Sequence, residues 1–288
     1  MVLAAVTQLT SGPNPLENAD TAVDLIQRAA KAGAKVIFLP EATDFISSPD
    51  RVGELTYCKD NRIFVDRMLQ AAKENNVFVS VGIHEPAEEE EAKRAEERRC
   101  YNTQLLINDK GDDVGRYRKT HMFDVEVADL KIKESNTTVP GRSLLPPVPT
   151  PIGNLGPLIC YDVRFPEPAL HLRTLGAQVI SYPSAFVVRT GPAHWEPLLR
   201  ARAIETQCWI MASAQVGKHP GTDRVSWGHA MIVDAFGSVV AQCGDLQPHR
   251  PCFAVAEVDL DNLDNLRKHM PLWEQRRNDG PDALYPVI

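Results

Sequence analysis

Three reactive side chains each follow a short apolar or strand-like run. Glu41 follows AKVIFLP, Lys119 follows GRYR and Cys160 follows GPLI. Layered α/β proteins bind ligands at the carboxyl ends of strands, where the departing loops open a crevice. Taken singly, the three say little. A cysteine after an apolar strand is most often an inert buried thiol. A glutamate there is usually a cap or turn residue, and a lysine in RYRK is usually solvated. Sequence spacing does not bring them together. If they meet, the chemistry is thiol catalysis. A free thiol has a pKa of about 8.5, so only a few per cent is thiolate at neutral pH. A carboxylate within hydrogen-bond reach can take the proton as general base. An adjacent ammonium stabilises the thiolate and later an oxyanion. Glu134, in KIKESN, supplies a second carboxylate. In CYDVRFPE, a helix opening at the proline would turn backbone N–H groups near Tyr161 toward the reacting centre. His194, His229 and His121 are the rival bases of a Cys–His enzyme, and a packed structural role is the favoured reading for each.

Strand-like and helix-like segments alternate around these residues. Val2–Leu9, AKVIFLPE and NVFVSVGIHE read as strands, separated by helical periodicity over 16–32 and in RIFVDRMLQAAKEN. TQLLIND and VGRYRK flank a KGDD turn as a hairpin. IGNLGPLIC, AQVISYPS and CWIMASAQV read as strands, with helices in EPALHLRTLG and HWEPLLRARAIETQ. WGHAMIVDAFGSVVAQC is a hairpin turning at Phe236 and Gly237. PCFAVAEVDL is a strand and DNLDNLRKHM a closing helix. No repeat or linker interrupts the chain, so one α/β domain over residues 1–288 is expected. The hairpins imply mixed rather than purely parallel sheets. The charge run EPAEEEEAKRAEERR reads as a solvated segment without assigned function.

With 288 residues the chain can bury a core without disulfides or metal. A net charge of -7 gives no electrostatic footprint for nucleic acid or anionic lipid, so neither is an expected partner. MVLAAVTQLTSGP lacks a basic leader, and no apolar run approaches the roughly 18 residues of a membrane span. Six scattered cysteines without CxxC spacing point to reduced thiols in the cytosol or mitochondria, and to no structural zinc.

The segments FLPEA with Glu41, YRKTHMFDVE with Lys119 and ICYDVRFPE with Cys160 resemble the three signatures of the nitrilase (carbon-nitrogen hydrolase) superfamily, in its order and roughly its spacing. The resemblance covers nearly the whole chain. It implies a four-layer α-β-β-α sandwich, assembly as a homodimer or larger homo-oligomer, and hydrolysis of linear amides without metal or cofactor. It assigns Glu41, Lys119 and Cys160 as catalytic, Glu134 as the second glutamate, and the Tyr161 N–H as oxyanion donor. YPSAFVVRTGPAHWEPLLRARAIETQC and HMPLWEQRR resemble the Nit branch. That implies a small-molecule amide substrate bearing a 2-oxo acid: the 2-oxoglutaryl amide bond of deaminated glutathione, a metabolite-repair substrate. Omega-amidase activity on 2-oxoglutaramate or 2-oxosuccinamate is the alternative on the same scaffold. A binding protein with little catalysis is the alternative of another class. Phe186 and Thr190 match the branch's substrate segment, as an apolar wall and a hydroxyl donor. Arg164, four residues after Cys160, is either a fork for the substrate carboxylate or a structural partner of Glu167 or Asp162.

Overall fold

The structure, a computed structural model, describes residues 1–87, 99–127 and 130–276. Most of the charge run at 85–99 and the last residue of HMPLWEQRR lie outside the described residues. The strands in chain order are β1 (Val2–Leu9), β2 (Val36–Phe38), β3 (Phe78–Pro86), β4 (Cys100–Ile107), β5 (Asp113–Arg118), β6 (Asp124–Val127), β7 (Leu130–Lys133), β8 (Val148–Thr150), β9 (Gly153–Pro157), β10 (Val179–Ser181), β11 (Trp209–Ala212), β12 (Ala214–Lys218), β13 (Val225–Trp227), β14 (Met231–Val233), β15 (Val239–Gln242) and β16 (Cys252–Val258). The helices are α1 (Pro15–Lys31), α2 (Pro49–Thr56), α3 (Lys59–Asn75), α4 (Pro166–Thr174), α5 (Gly191–Thr206), α6 (Leu260–His269) and α7 (Leu272–Gln275).

Two mixed sheets result. The first runs β13-β12-β1-β2-β3-β4-β5, with β16 antiparallel to β1. The second runs β15-β14-β11-β10-β9-β8. Alternation along the strands sets the layers. Ala5 and Ile37 face α1 and α3, in a core with Leu25, Ile26, Phe64 and Met68. Their neighbours Ala4, Val6, Val36 and Phe38 face the other way, into a core shared with Leu155, Val179 and Ile180 of the second sheet. That core continues to Leu172 of α4 and to Trp195 and Leu199 of α5. The order is helix, sheet, sheet, helix: the four-layer α-β-β-α sandwich.

Several local readings change. CWIMASAQV is two strands in different sheets, β11 and β12. Ser213 lies between them, its hydroxyl donating to the Leu39 carbonyl at 2.9 Å. The helix expected in EPALHLRTLG starts one residue earlier, at Pro166. A 3-10 turn over Cys160–Arg164 comes first, then an extended Phe165, the conformation favoured before proline. The β6–β7 hairpin and α2 were not anticipated, because neither segment has a strong apolar period.

Gly82 in β3 is required by close approach. Its N–H donates to the Pro40 carbonyl at 3.0 Å. A Cβ there would lie 2.5 Å from both the Glu41 Cα and the Pro40 oxygen. Gly82→Ala must therefore displace the segment carrying Glu41. We expect about a hundredfold loss of kcat/KM with a stability loss of about 1–3 kcal/mol. Steady-state kinetics and denaturant melts check both, and unchanged kinetics would mean the segment yields without moving Glu41.

Candidate active site

The chain leaves β2 through Leu39 and Pro40 and reaches Glu41, followed by Ala42 in the left-handed region at φ 52°. The Glu41 carboxylate is buried. Its Oε2 accepts the Ala185 N–H at 2.8 Å, and its Oε1 accepts Asn102 Nδ2 at 2.7 Å and Lys119 Nζ at 2.9 Å. Lys119 follows β5 directly, its N–H held by the Asn102 carbonyl at 2.8 Å. Its ammonium is 2% exposed and also donates to both oxygens of Glu134, at 3.0 and 2.9 Å. Glu134 opens a 3-10 turn after β7 and accepts the Phe123 N–H at 2.7 Å. Asn102, in β4, donates to Glu134 as well, at 3.1 Å. One ammonium and one amide thus hold two carboxylates in a fixed cluster.

Cys160 stands beside it. Its thiol lies close enough to feel the charges of both the Glu41 carboxylate and the Lys119 ammonium. Its backbone sits at φ 44°, a left-handed conformation that costs a non-glycine residue about 1–2 kcal/mol. Its N–H donates to the Pro183 carbonyl at 3.1 Å. The Tyr161 N–H lies in the first turn of the 3-10 helix, where backbone donors have no partner within the helix. Asp162, fully buried, holds that turn in shape. Its carboxylate accepts the Ile159 N–H at 2.9 Å, the Tyr117 hydroxyl at 2.8 Å and the Thr120 hydroxyl at 3.2 Å. It also meets His121 Nδ1 at 2.7 Å. Asp162 therefore ties the cysteine turn to the end of β5, where Lys119 sits.

The electrostatics define the resting state. Burial disfavours the Lys119 charge, yet Glu134 and Glu41 outweigh it and push the pKa above its ordinary value. Burial would raise Glu41, but the charges of Lys119 and Arg224 and the donors on its oxygens reverse this and hold the carboxyl at about 2. Burial and the Glu41 charge push the Cys160 thiol up to about 12, against the pull of Lys119. The sulfur therefore rests as a neutral thiol. Moving its proton to Glu41 relocates one negative charge beside Lys119 without creating any net charge, which suits a dry site.

This has a consequence for reactivity. A hydrogen bond from Cys243, with Arg28 and His249 nearby, holds the half-buried Cys252 at about 7 despite its burial. N-ethylmaleimide near neutral pH should therefore modify Cys252 before Cys160, because the thiolate is the nucleophile. Peptide mapping after partial labelling reads the order, and first labelling of Cys160 would mean that its resting form is already thiolate.

The sequence candidates converge unequally. Glu41, Lys119, Glu134, Cys160, Tyr161, Arg164, Phe186 and Thr190 all line one cavity of about 450 Å³. The histidines do not serve Cys160. His121 is bound to Asp162 and stacked on Phe165 at 3.8 Å, and His229 is stacked on Trp227 at 4.3 Å. His194 Nδ1 meets Arg164 Nη1 at 3.0 Å. Arg164 pairs with neither Glu167 nor Asp162. Its guanidinium lies over the rings of Tyr161 and Phe186, at 5.5 and 5.2 Å. The Asp162 oxygens are already occupied by the cysteine turn and the end of β5. Thr190 Oγ1 is buried without a partner among the described residues. Sequence reasoning missed Asn102, Arg224, the Ala185 N–H and the bracing role of Asp162. Asn102 opens the polar run Asn102, Thr103 and Gln104 of β4, and nothing in that run singles it out.

Known proteins resemble this chain over nearly its whole length. The chain is 45% identical over 292 residues to the Schizosaccharomyces pombe "Probable hydrolase nit2", covering 100% of both chains. It is 45% identical over 288 residues to the deaminated glutathione amidase of Rattus norvegicus, covering 99% of this chain and 85% of the relative. The crystal structure of the C. elegans NitFhit protein superposes with a TM-score of 0.87 at 40% identity, over 96% of this chain and 65% of that one. The sequence model for carbon-nitrogen hydrolases matches residues 3–268, a span that includes every residue of the buried cluster. The chain belongs to the carbon-nitrogen hydrolase family.

Proposed function

We propose that this chain is a thiol amidase that hydrolyses the 2-oxoglutaryl amide bond of deaminated glutathione, releasing 2-oxoglutarate and cysteinylglycine. The observation that carries the chemistry is the buried Glu41–Lys119–Glu134 cluster set against Cys160 in an accessible cavity. The substrate choice draws on the full-length similarity to relatives that include the rat amidase.

In the first half-reaction Glu41 takes the Cys160 proton as the sulfur attacks the amide carbon. The carbonyl oxygen becomes an oxyanion held by the Lys119 ammonium and the Tyr161 N–H. Glu41 passes its proton to the nitrogen, the C–N bond breaks, and cysteinylglycine leaves as an amine. A 2-oxoglutaryl thioester remains on Cys160. In the second half-reaction Glu41 takes a proton from water, the hydroxide oxygen attacks the thioester carbon, and the C–S bond breaks. The proton on Glu41 returns to the sulfur. Glu134 keeps Lys119 in place throughout, and its second negative charge keeps the lysine protonated. Arg164 and Thr190 face the acyl group, with the Phe186 ring as a wall.

The chain self-associates through the outer helical layer, where Leu175 and Ile204 are exposed beside Phe236 of the β14–β15 turn. It works in a reducing compartment, the cytosol or mitochondria, in keeping with six free cysteines. Among the described residues no helix is long and apolar enough to cross a membrane.

The substrate is tested by comparing deaminated glutathione with 2-oxoglutaramate. We expect kcat/KM to favour the former by at least about tenfold, equivalent to about 1.4 kcal/mol. A preference for 2-oxoglutaramate would make the enzyme an omega-amidase, and hydrolysis of neither would remove this substrate class.

A further inference from the structure

The charge of Arg224 helps keep Glu41 ionised, and its side chain also lines the same cavity as Cys160. It precedes β13, and its Nη2 donates to the Ala185 carbonyl at 2.9 Å. Among the described residues that is its one side-chain hydrogen bond, and it forms no ion pair. Its Nε is buried without a partner among the same residues. The neighbouring Asp223 is fully exposed and points to Lys218 at 3.6 Å. A guanidinium carries five donors in a fixed fork. One that is partly buried, with most donors unused and no carboxylate in direct contact, can still take a carboxylate on its fork while its charge acts on Glu41 at longer range.

Its place indicates which anion. The Ala185 peptide has its N–H on Glu41 Oε2 and its carbonyl on Arg224, so Arg224 stands one peptide unit from the proposed general base. Glu41 returns its proton to the departing nitrogen, so the leaving amine must sit on this side. Arg164 lies elsewhere, over Tyr161 and Phe186 beside His194. Deaminated glutathione carries two carboxylates, one on the acyl group and one on the terminal glycine. The cavity carries two guanidinium groups with no carboxylate partner among the described residues. Resting on the proposed amidase reading, we infer that Arg224 binds the terminal carboxylate of the leaving dipeptide, leaving Arg164 to the acyl carboxylate. Arg224 is then the residue that distinguishes a dipeptide-like leaving group from free ammonia.

The test uses three substrates: deaminated glutathione, its glycinamide analogue, and 2-oxoglutaramate, whose leaving group has no carboxylate. In the wild type, kcat/KM should drop at least about tenfold from the carboxylate to the glycinamide, mostly through KM, as for loss of a charged hydrogen-bonded partner. In Arg224→Gln that ratio should collapse to near one, and in Arg224→Lys part of it should return, since a point charge lacks the fork. Activity on 2-oxoglutaramate reports separately any disturbance of Ala185 and Glu41. Equal losses on all three substrates, or an undiminished carboxylate preference in Arg224→Gln, would overturn the inference and leave the amidase reading standing. Failure of the wild type to hydrolyse deaminated glutathione would sink both, and it is visible before any variant is made.

Discussion

Lys119→Met should lose both turnover and stability, and should reverse how stability depends on pH. The ammonium is the shared partner of Glu41 and Glu134 at 2.9 Å from each, and it is 2% exposed. Removing one member of a buried charge set strands the others, at a cost of about 3–5 kcal/mol. Losing the oxyanion partner alone lowers kcat by about two to three orders of magnitude. The pH signature is more specific. In the wild type Glu41 titrates at about 2, below the roughly 4.3 of an unfolded glutamate. Its contribution is therefore present above the unfolded value and is lost as pH falls toward the folded one. Without Lys119, burial raises the Glu41 pKa above the unfolded value. Its contribution is then present in acid and lost as pH rises. Denaturant midpoints measured across the acid range should rise with pH in the wild type and fall in Lys119→Met. Parallel profiles would mean that the lysine does not hold the carboxylates.

Cys160→Ala should abolish hydrolysis, a loss of about five to six orders of magnitude if the residual rate reflects binding and the oxyanion donors alone. The fold should survive, because the cysteine contributes little apolar surface and its backbone is strained at φ 44°. Cys160→Gly makes the point sharper. It removes the Cβ that left-handed backbone penalises by about 1–2 kcal/mol, so it should melt no lower than the wild type while being equally inactive. Strain kept at a working residue is a recurrent trade of stability for function. Kinetics and thermal melts on the two variants decide it. Turnover within tenfold of wild type in either one would remove Cys160 as nucleophile, on the usual scale for such a loss.

Much of the site was legible because each reactive residue follows a strand. Glu41 comes three residues after β2, Lys119 immediately after β5, and Cys160 three residues after β9. Apolar runs mark those strands, and the shared carboxyl-end placement follows from layered architecture. Asn102 was not legible, since a polar residue within a strand reads as an outward face. It points inward because β4 lies between β3 and β5, where one amide reaches both carboxylates. Asp162 reads as a turn residue, and its grip on Tyr117, Thr120 and His121 depends on contacts more than forty residues away. CWIMASAQV contains no breaker, so the change of sheet at Ser213 is imposed by tertiary packing rather than local preference. Arg164 was left between two roles by sequence, because nearby acids are compatible with either; its stacking over two rings is a tertiary fact.

The most direct measurement is rapid quench of the enzyme with deaminated glutathione, followed by peptide mass mapping of the protein and quantitation of released cysteinylglycine. The expected result is a burst of cysteinylglycine no larger than the enzyme concentration, with a 2-oxoglutaryl thioester on the peptide carrying Cys160 and none in Cys160→Ala. Turnover with an acyl group on another residue, or continuing in Cys160→Ala, would contradict it.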